Sequence, residues 1–360
     1  MTSRNLEVVE IRPAMIIFTN PTHRFLTCPG RLIHPYFQVM ESIWILAGRG
    51  DVSWISKYLK NIEKYSDGED VFHAPYGHRM RRYGYNRSIF YGDDDEIDQF
   101  ENCLIYLFEK PDTRHAVMTY WNPLFDRYGI NTIDRPCNIA FHFMIREDKL
   151  DLTIMNRSND IHWGLMNANV VQFSVILETA AMILGIPVGK QIHMIDSLHY
   201  YIDNPITDEI LSKDYEFNVY DYVHSHPFDN HNNIYHYSSI AHGGMIAFLD
   251  SELKMFFDHE EKIWTKAQFP NIYLEHSFLN DGLILAYSFY KYKKADYESA
   301  AQVLLRLRAD DLFVSCLEFL NRKSPDERTK AVIEATLFDR FNSKLSKFQI
   351  KEIQRYIERH

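Results

Sequence analysis

The chain has 360 residues, of which 46% are hydrophobic and 14% aromatic, and it carries a formal net charge of −10. This size and composition predict a globular protein of one large or two ordinary domains. The net negative charge argues against a broad nucleic-acid-binding surface, because such surfaces need clustered lysine and arginine. We therefore expect no nucleic acid among the partners, although a few local arginines are enough to hold one phosphate.

The cysteines indicate the compartment. Cys28, Cys103, Cys137 and Cys316 show neither CxxC pairing nor the dense spacing of a disulfide framework, which favours a reducing environment. The first residues lack the basic and then apolar plan of a signal peptide. No apolar run reaches the ~18–20 residues that span a bilayer. We expect a soluble, cytoplasmic protein without a membrane segment.

The first eighty residues alternate extended and helical patterns. Residues 6–18 read as extended, and residues 36–47 as a helix with a wide apolar face that ends at Gly48. Residues 53–64 predict a second helix. The segment 72–79 is aromatic and marked by proline and glycine, so it predicts a loop that either lines a site or is simply rich in tyrosine.

Two charged residues in this region have both a structural and a functional interpretation. Arg24 lies on a loop between two turns, where it is either a solvated arginine or a phosphate contact. Glu41 lies among the apolar positions of the first helix. It is either a charge on the helix surface or a half-buried acid with a raised pKa, and spacing alone favours the surface charge.

A β-hairpin is predicted in the middle of the chain. Residues 138–145 and 150–156 alternate as strands do, and a polar turn joins them. Cys137 and Arg157 lie just beyond the paired segments. The hairpin therefore brings this cysteine and this arginine close together.

The remaining elements of the central region complete a mixed α+β plan. Residues 94–109 predict an amphipathic helix, and residues 115–121 and 190–202 predict strands. Residues 169–184 are apolar on nearly every side and end at Gly185, which predicts a buried helix.

The sequence pattern changes after residue 204, from mixed strands and helices to a loop followed by helices. A loop-like segment at 221–244 is followed by six helical patterns, at residues 245–260, 275–292, 297–308, 310–321, 325–339 and 343–358. We predict an α+β domain at 1–236 and a helical C-terminal extension at 237–360. The loop histidines have irregular spacing, which favours a solvated linker over a metal site; they are His224, His226, His231, His236 and His242.

The chemistry of Cys137 is ambiguous from the residues alone. An unpaired cysteine is most often a small buried hydrophobe, and activation needs a cationic neighbour such as Arg157. A thiolate there would serve acyl transfer or attack on an activated double bond. A papain-like relay would need a paired histidine, and no spacing selects one of the candidates, which are His142, His162, His193 and His199.

A set of short motifs follows in order along residues 20–204. They are Asp112-Thr113-Arg114, Trp121-Asn122, Pro136-Cys137, Arg157-Ser158-x-Asp160, Gly164-Leu165 and His199-x-Tyr201, with Glu41 and Trp44 in the early helix and Tyr76-Gly77-x-Arg79 in the loop. Order and spacing resemble the thymidylate synthase and pyrimidine nucleotide hydroxymethylase family. The resemblance implies an α+β thymidylate synthase-like fold with a mixed sheet and a buried central helix.

The resemblance also implies a reaction, which is one-carbon transfer from 5,10-methylenetetrahydrofolate to C5 of a pyrimidine nucleoside monophosphate. Cys137 would add to C6 of the base and make C5 nucleophilic. A hydride then gives a methyl group, whereas water gives a hydroxymethyl group. Glu41 would organise water and protons, Tyr76 would assist proton transfer at C5, and Asp160 would hold the pterin.

Binding roles follow from the same resemblance. Arg157 and Ser158 would hold the nucleotide phosphate, with Arg24 as a third contact, since a phosphate favours arginine forks. Members of the family are homodimers with shared sites, so Arg114 would reach the phosphate in the other subunit. The sugar hydroxyl would contact His199 and Tyr201.

The departures from the synthase pattern concern the base. The synthase reads uracil with the asparagine of a Gly-Leu-Pro-Phe-Asn motif, and counting places Ala168 there, with Asn167 and Asn169 on either side. A one-residue shift would restore an amide, so Asn169 stays a candidate contact beside Ala168. Asn138 replaces the histidine that follows the synthase cysteine and is a further candidate.

We therefore expect a hydroxymethylase that acts on a cytidine nucleotide, CMP or dCMP, because Ala168 resembles the cytidylate branch. The charged helix at 351–360 also replaces the synthase's closing tail, which excludes water. The alternatives are a divergent thymidylate synthase that methylates dUMP, a dUMP hydroxymethylase, and an inactive family member that binds a nucleotide or RNA.

Overall fold

The computed structural model describes residues 2–3, 6–28, 30–84, 96–211, 216–225 and 246–358. The strands are β1 (Thr2–Ser3), β2 (Leu6–Ile11), β3 (Ala14–Phe18), β4 (Val117–Thr119), β5 (Asn138–Arg146), β6 (Lys149–Asn156), β7 (Asn159–Asp160), β8 (Val188–Ile195) and β9 (Leu198–Tyr201). The helices before the C-terminal region are α1 (Pro35–Leu46), α2 (Val52–Ile55), α3 (Tyr76–Arg81), α4 (Gln99–Glu109), α5 (Asn169–Leu184) and α6 (Pro205–Leu211).

Six helices make up the C-terminal region: α7 (Ala247–Lys266), α8 (Ser277–Lys293), α9 (Tyr297–Leu304), α10 (Asp310–Arg322), α11 (Glu327–Phe341) and α12 (Lys347–Glu358). Each corresponds to one of the six predicted helical patterns. Short helical turns occur at Lys60–Tyr65 and Val219–Asp221 (3-10) and at Ile161–Ala168 (π).

Two mixed sheets form the part of the fold that precedes the C-terminal helices. The larger has the order β3-β8-β6-β5-β4, with β6 and β8 parallel, and the smaller has the order β1-β2-β9-β7. The predicted hairpin is β5–β6, and its turn places Glu147 and Asp148 at φ of 52° and 57°, as a tight two-residue turn requires. The predicted α+β class is confirmed.

The buried central helix is α5, and its bounds match the predicted 169–184. Together with the preceding π-turn, the helical stretch Ile161–Leu184 is long and apolar enough to cross a membrane, but 89% of its most apolar window is buried within the fold. The expectation that no such run exists was wrong. The stretch is instead a core helix that packs against the larger sheet and α1.

The C-terminal helices share one continuous apolar core with the rest of the described chain. The Tyr36 hydroxyl lies 2.9 Å from Ser288 Oγ, and Trp54 Nε1 donates to buried Glu260 over 2.8 Å. Gly282 lies against Ile43 of α1, and a Cβ at that position would come within 2.5 Å of it. The contacts of Tyr36 and Ile43 hold α1, which carries Glu41, against α8, and the Trp54–Glu260 bond joins α2 to α7.

Some predicted elements are divided in the structure. The extended segment 6–18 forms β2 and β3 in different sheets, because Pro13 has no backbone N–H to continue a ladder. The predicted strand 190–202 divides into β8 and β9 at residues 196–197, where the chain passes from one sheet to the other. The predicted loop 72–79 instead contains the start of α3, and the helix predicted at 53–64 is interrupted after α2.

Candidate active site

Cys137 and Arg157 meet at the open end of the β5–β6 hairpin, as predicted. The Arg157 backbone N–H donates to Cys137 O over 3.0 Å, and its Nε donates to Pro136 O over 3.0 Å. These bonds hold Nη2 4.0 Å from Cys137 Sγ. A guanidinium therefore lies beside the sulfur, and Arg157 remains exposed and able to contact an anion.

Tyr76 approaches the cysteine from α3. Its hydroxyl is within hydrogen-bonding reach of the Cys137 backbone, and burial raises its pKa above the ordinary value. The side chain therefore stays a protonated phenol. The helix that carries it is anchored by Arg79, whose Nη2 donates to Asp126 Oδ1 over 2.8 Å and whose Nη1 donates to Tyr120 O over 2.5 Å.

Glu41 is not the surface charge that its spacing favoured. Its carboxyl group lies in the interior between α1 and α5, and burial raises its pKa from 4.5 to about 8. Gln172 Nε2 donates a short hydrogen bond to Glu41 Oε2, which lowers that pKa in part. At neutral pH the group is mostly protonated, and it can therefore exchange a proton with a neighbouring reactant.

The segment before α5 is wound as a π-turn, from Ile161 to Ala168, with a kink at Met166 (φ −100°, ψ 21°). A π-turn accommodates one residue more than an α-turn. Asn167 points away towards α1, where Gln38 Nε2 donates to its Oδ1 over 2.6 Å. Ala168 is buried. Asn169 is half-buried, and its Nδ2 donates to Gln172 Oε1 over 3.2 Å.

A glycine at position 164 is required by this packing. A Cβ there would come within 2.1 Å of Asn159 Oδ1 and 2.9 Å of Asn169 Oδ1. The Asn169 amide oxygen therefore lies over the Gly164 backbone, inside the turn that the resemblance assigns to base recognition.

Asp160 and His199 are brought together by the small sheet, where β7 pairs parallel to β9 and the two residues are partners in register. Asp160 Oδ1 accepts from the backbone N–H groups of His162 (2.7 Å) and Trp163 (3.3 Å), so the carboxylate caps the π-turn. The Tyr201 ring lies edge-on to His199 at 5.6 Å. The predicted pterin and sugar residues are thus adjacent.

Ser158 and Arg114 are the other two residues with a predicted role in phosphate binding. Ser158 follows Arg157 directly and is half-buried. Arg114 is exposed at the sheet edge just before β4. Among the described residues no contact joins Arg114 to Cys137, and the role of Arg114 in another subunit stays a prediction.

The position of Arg24 differs from the predicted phosphate contact. It is only 4% exposed, and its Nη2 forms a short ion pair with buried Glu178. Glu178 lies nine residues, roughly 13 Å of helix, beyond Asn169. Arg24 also lies near Asp311 of α10. In this fold it joins α5 to the C-terminal helices rather than contacting a phosphate beside Arg157, because a charged group this buried needs a fixed partner.

Asn138 occupies a buried position next to the nucleophile. Its Nδ2 donates to Asn156 Oδ1 over 2.8 Å, which closes the end of the hairpin between Cys137 and Arg157. Asn138 and Asn156 therefore form one buried amide pair across the hairpin. Asn138 positions the strand ends that carry the cysteine and the arginine.

Sequence reasoning missed two residues that shape the site. Arg31 is buried, and its Nη2 donates to His162 O and to Met166 O, which fixes the π-turn. Gln172 joins Asn169 to Glu41. Little in the sequence indicated this role. A single glutamine in an apolar helix has no predictable partner until the helix that packs against it is known.

The structure gives no support for a metal site in the part of the chain that it describes. No group of three histidine, cysteine, aspartate or glutamate side chains is placed to bind an ion there. The loop histidines His226, His231, His236 and His242 lie outside the described residues.

Comparisons with known proteins agree with this geometry. The thymidylate synthase family model matches residues 20–236. The chain is 45% identical over 216 residues to the deoxyuridylate hydroxymethyltransferase of Bacillus phage SP01 (58% of this chain, 55% of the relative). It is 33% identical over 202 residues to that of Pseudomonas phage M6 (56% and 52%) and 27% identical over 215 residues to that of Delftia phage PhiW-14 (56% of each). The chain spans about half the length of these curated relatives. Because the matched region exceeds half of the chain and contains the Cys137–Arg157 site, the chain belongs to the thymidylate synthase family.

Proposed function

We propose that this protein is a dUMP hydroxymethylase, which adds a hydroxymethyl group to C5 of deoxyuridylate. The observation that carries the proposal is the Asn169 amide beside the Gly164 turn, whose Oδ1 and second Nδ2 hydrogen would supply a base with an acceptor and a donor. Three relatives are named deoxyuridylate hydroxymethyltransferases, and this favours dUMP over the cytidine nucleotide that Ala168 led us to expect.

The proposed reaction begins at Cys137. Its sulfur adds to C6 of the uracil ring, while Arg157, whose Nη2 lies 4.0 Å from that sulfur, holds the nucleotide phosphate together with Ser158. Addition at C6 moves electron density to C5, which the free base does not offer as a nucleophile. Removal of the C5 proton is assisted by the Tyr76 hydroxyl, which stays neutral because burial raises its pKa.

The residues around Asp160 fit the one-carbon donor of this family, methylenetetrahydrofolate. A carboxylate suits the N–H donors of a pterin, and Trp163 presents an exposed ring that stacks on Phe37 at 5.9 Å. When bound, methylenetetrahydrofolate supplies the carbon at the oxidation level of formaldehyde. Asp160, fixed as a cap by two backbone N–H groups, would orient it.

Glu41 would control the water that completes a hydroxymethyl group. Its pKa of about 8 lets it hold a proton at neutral pH and exchange it with a water molecule near the one-carbon unit. A synthase must instead exclude water to favour hydride transfer.

A cytidine nucleotide is the second candidate substrate. Direct counting from Gly164 puts Ala168 at the base-reading position, and an alanine makes no paired contact with uracil. The π-turn favours Asn169 for that role instead, because Ala168 is buried within the turn.

We also propose a homodimer that packs through the outer face of the larger sheet. That face exposes an apolar rung in register, in which Met15, Met194 and Met155 lie side by side across β3, β8 and β6. Met15 and Met194 are 62% and 48% exposed, and a contiguous exposed apolar surface of this kind marks an interface. Arg114, at the edge of the same sheet, would then enter the partner's site.

Subunit complementation tests the shared site. Arg114→Ala and Cys137→Ala homodimers should each be inactive. Mixing them after mild unfolding should restore up to about a quarter of wild-type activity, because half of the dimers are then mixed and each contains one intact site. Failure of the mixture to regain activity while it refolds to dimers would contradict the sharing.

The substrate is tested by tritium release from C5. With methylenetetrahydrofolate present, [5-³H]dUMP should release tritium and [5-³H]dCMP should release at least about tenfold less, and Cys137→Ala should abolish release from both. Faster release from dCMP would assign the cytidine nucleotide. Binding of nucleotide or RNA that is unchanged in Cys137→Ala, without any release by the wild type, would favour an inactive binding protein.

A further inference from the structure

Glu41, Gln172 and Asn169 form a hydrogen-bonded series of side chains next to the π-turn. Gln172 is only 2% exposed and uses both ends of its amide. Its Nε2 donates to Glu41 Oε2, and its Oε1 accepts from Asn169 Nδ2 over 3.2 Å. Glu41 on α1 therefore fixes the orientation of Gln172 on α5, and Gln172 in turn fixes Asn169 one helical turn earlier.

A fixed orientation of Asn169 has a consequence for base recognition. Rotation of its amide by 180° would place Oδ1 against Gln172 Oε1, so that two acceptors would face each other in the interior. Leaving such buried groups unpaired is unfavourable. The Asn169 Oδ1 thus stays beside Gly164, where the backbone leaves room for it.

Uracil and cytosine require opposite orientations of such an amide. Uracil presents an N3–H donor beside an O4 acceptor, whereas cytosine presents an N3 acceptor beside an N4 amino donor. A freely rotating asparagine can pair with either base by turning over. An asparagine whose amide orientation is fixed by a neighbouring side chain pairs well with only one of the two bases. With the other base, its N–H group faces a donor and its carbonyl oxygen faces an acceptor.

We propose that Gln172 is a positioning residue that sets the choice between uracil and cytosine by fixing the Asn169 amide. This rests on the proposed function for the identity of the preferred base, which is uracil. The residue itself need not touch the nucleotide, since it acts through Asn169.

The test compares dUMP with dCMP in Gln172→Met, which keeps the length of the side chain and removes both hydrogen bonds. The ratio of kcat/KM for dUMP to that for dCMP, measured by tritium release, should fall by about 10- to 100-fold, the effect of one or two mispaired buried polar groups. The ratio of the two nucleotide Kd values, from calorimetry, should fall in the same direction. Gln172→Glu keeps an acceptor facing Asn169 and should retain most of the preference.

Gln38→Met is the matched control. Gln38 is also a buried glutamine, and it bonds the neighbouring Asn167, so this variant loses a comparable amide contact to the same turn without releasing Asn169. Its ratio should equal that of the wild type. If Gln172→Met does not fold, Gln172→Ala and Gln172→Glu provide the comparison.

The outcomes separate the inference from the proposed function. An unchanged ratio in folded Gln172→Met would overturn the inference, whatever the preferred base. A wild-type enzyme that prefers dCMP, with a preference that Gln172→Met relaxes, would contradict the proposed substrate and keep the role of Gln172.

Discussion

Replacing Glu41 by glutamine should make the stability of the fold less dependent on pH. The folded protein raises the pKa of Glu41 from 4.5 to about 8. Between these values the folded state holds a proton that the unfolded state has released, so the free energy of unfolding falls as the pH rises through this window. Below about 4.5 and above about 8 this group contributes no further slope.

The size of the effect follows from the shift. One pKa unit corresponds to about 1.4 kcal/mol, so ionising Glu41 opposes folding by at most about 5 kcal/mol. Relaxation of the half-buried surroundings reduces this to roughly 2–3 kcal/mol. Glutamine is neutral at every pH and its Oε1 can still accept from Gln172, so Glu41→Gln should match the wild type near pH 5 and exceed its stability near pH 9.

Urea unfolding from pH 5 to 9 measures this difference directly. The exposed Glu261→Gln on α7 is the control and should follow the wild-type curve at every pH. A difference between Glu41→Gln and wild type that stays constant from pH 5 to 9 would refute the burial argument, and with it the protonated Glu41 on which the control of water depends.

Three further predictions follow from the site and the sheets. Arg157→Lys should weaken dUMP binding by about 10-fold or more, since an ammonium cannot replace a bidentate fork; equal Kd values by calorimetry would count against a phosphate role. Burial lowers the pKa of His193 from 6.5 to about 3, so wild-type stability should fall as the pH drops through that window, and His193→Gln should lose less between pH 7 and pH 4 in urea titrations. Met194→Glu should convert the dimer to a monomer in sedimentation, whereas an unchanged mass would exclude the outer sheet face as the interface.

Much of the fold was predictable because local pattern and burial agree. Asn169–Leu184 is apolar on all sides and lies in the core, and the β5–β6 hairpin follows from alternation around a polar turn. The division between β8 and β9 was not predictable, since the strand pattern continues across residues 196–197 and only the sheet order separates them.

The site was predictable where neighbours in sequence become neighbours in space. Cys137 and Arg157 lie close together because the register of the β5–β6 hairpin pairs the strand ends that they adjoin. Arg24 and Glu41 depended instead on which helix lies opposite. Arg24, a basic residue on a loop, forms an interior ion pair with Glu178. Glu41, an acidic residue on a helix, is a buried acid beside Gln172.

The mass of the product tests the central claim most directly. The protein would be incubated with methylenetetrahydrofolate and dUMP, with CMP, dCMP and UMP in parallel, while absorbance reports any dihydrofolate. We predict that dUMP gains one CH₂O unit without dihydrofolate formation, and that Cys137→Ala gives no product. A methyl gain on dUMP with stoichiometric dihydrofolate would contradict the hydroxymethylase and identify a synthase, and a CH₂O gain only on a cytidine nucleotide would contradict the choice of base.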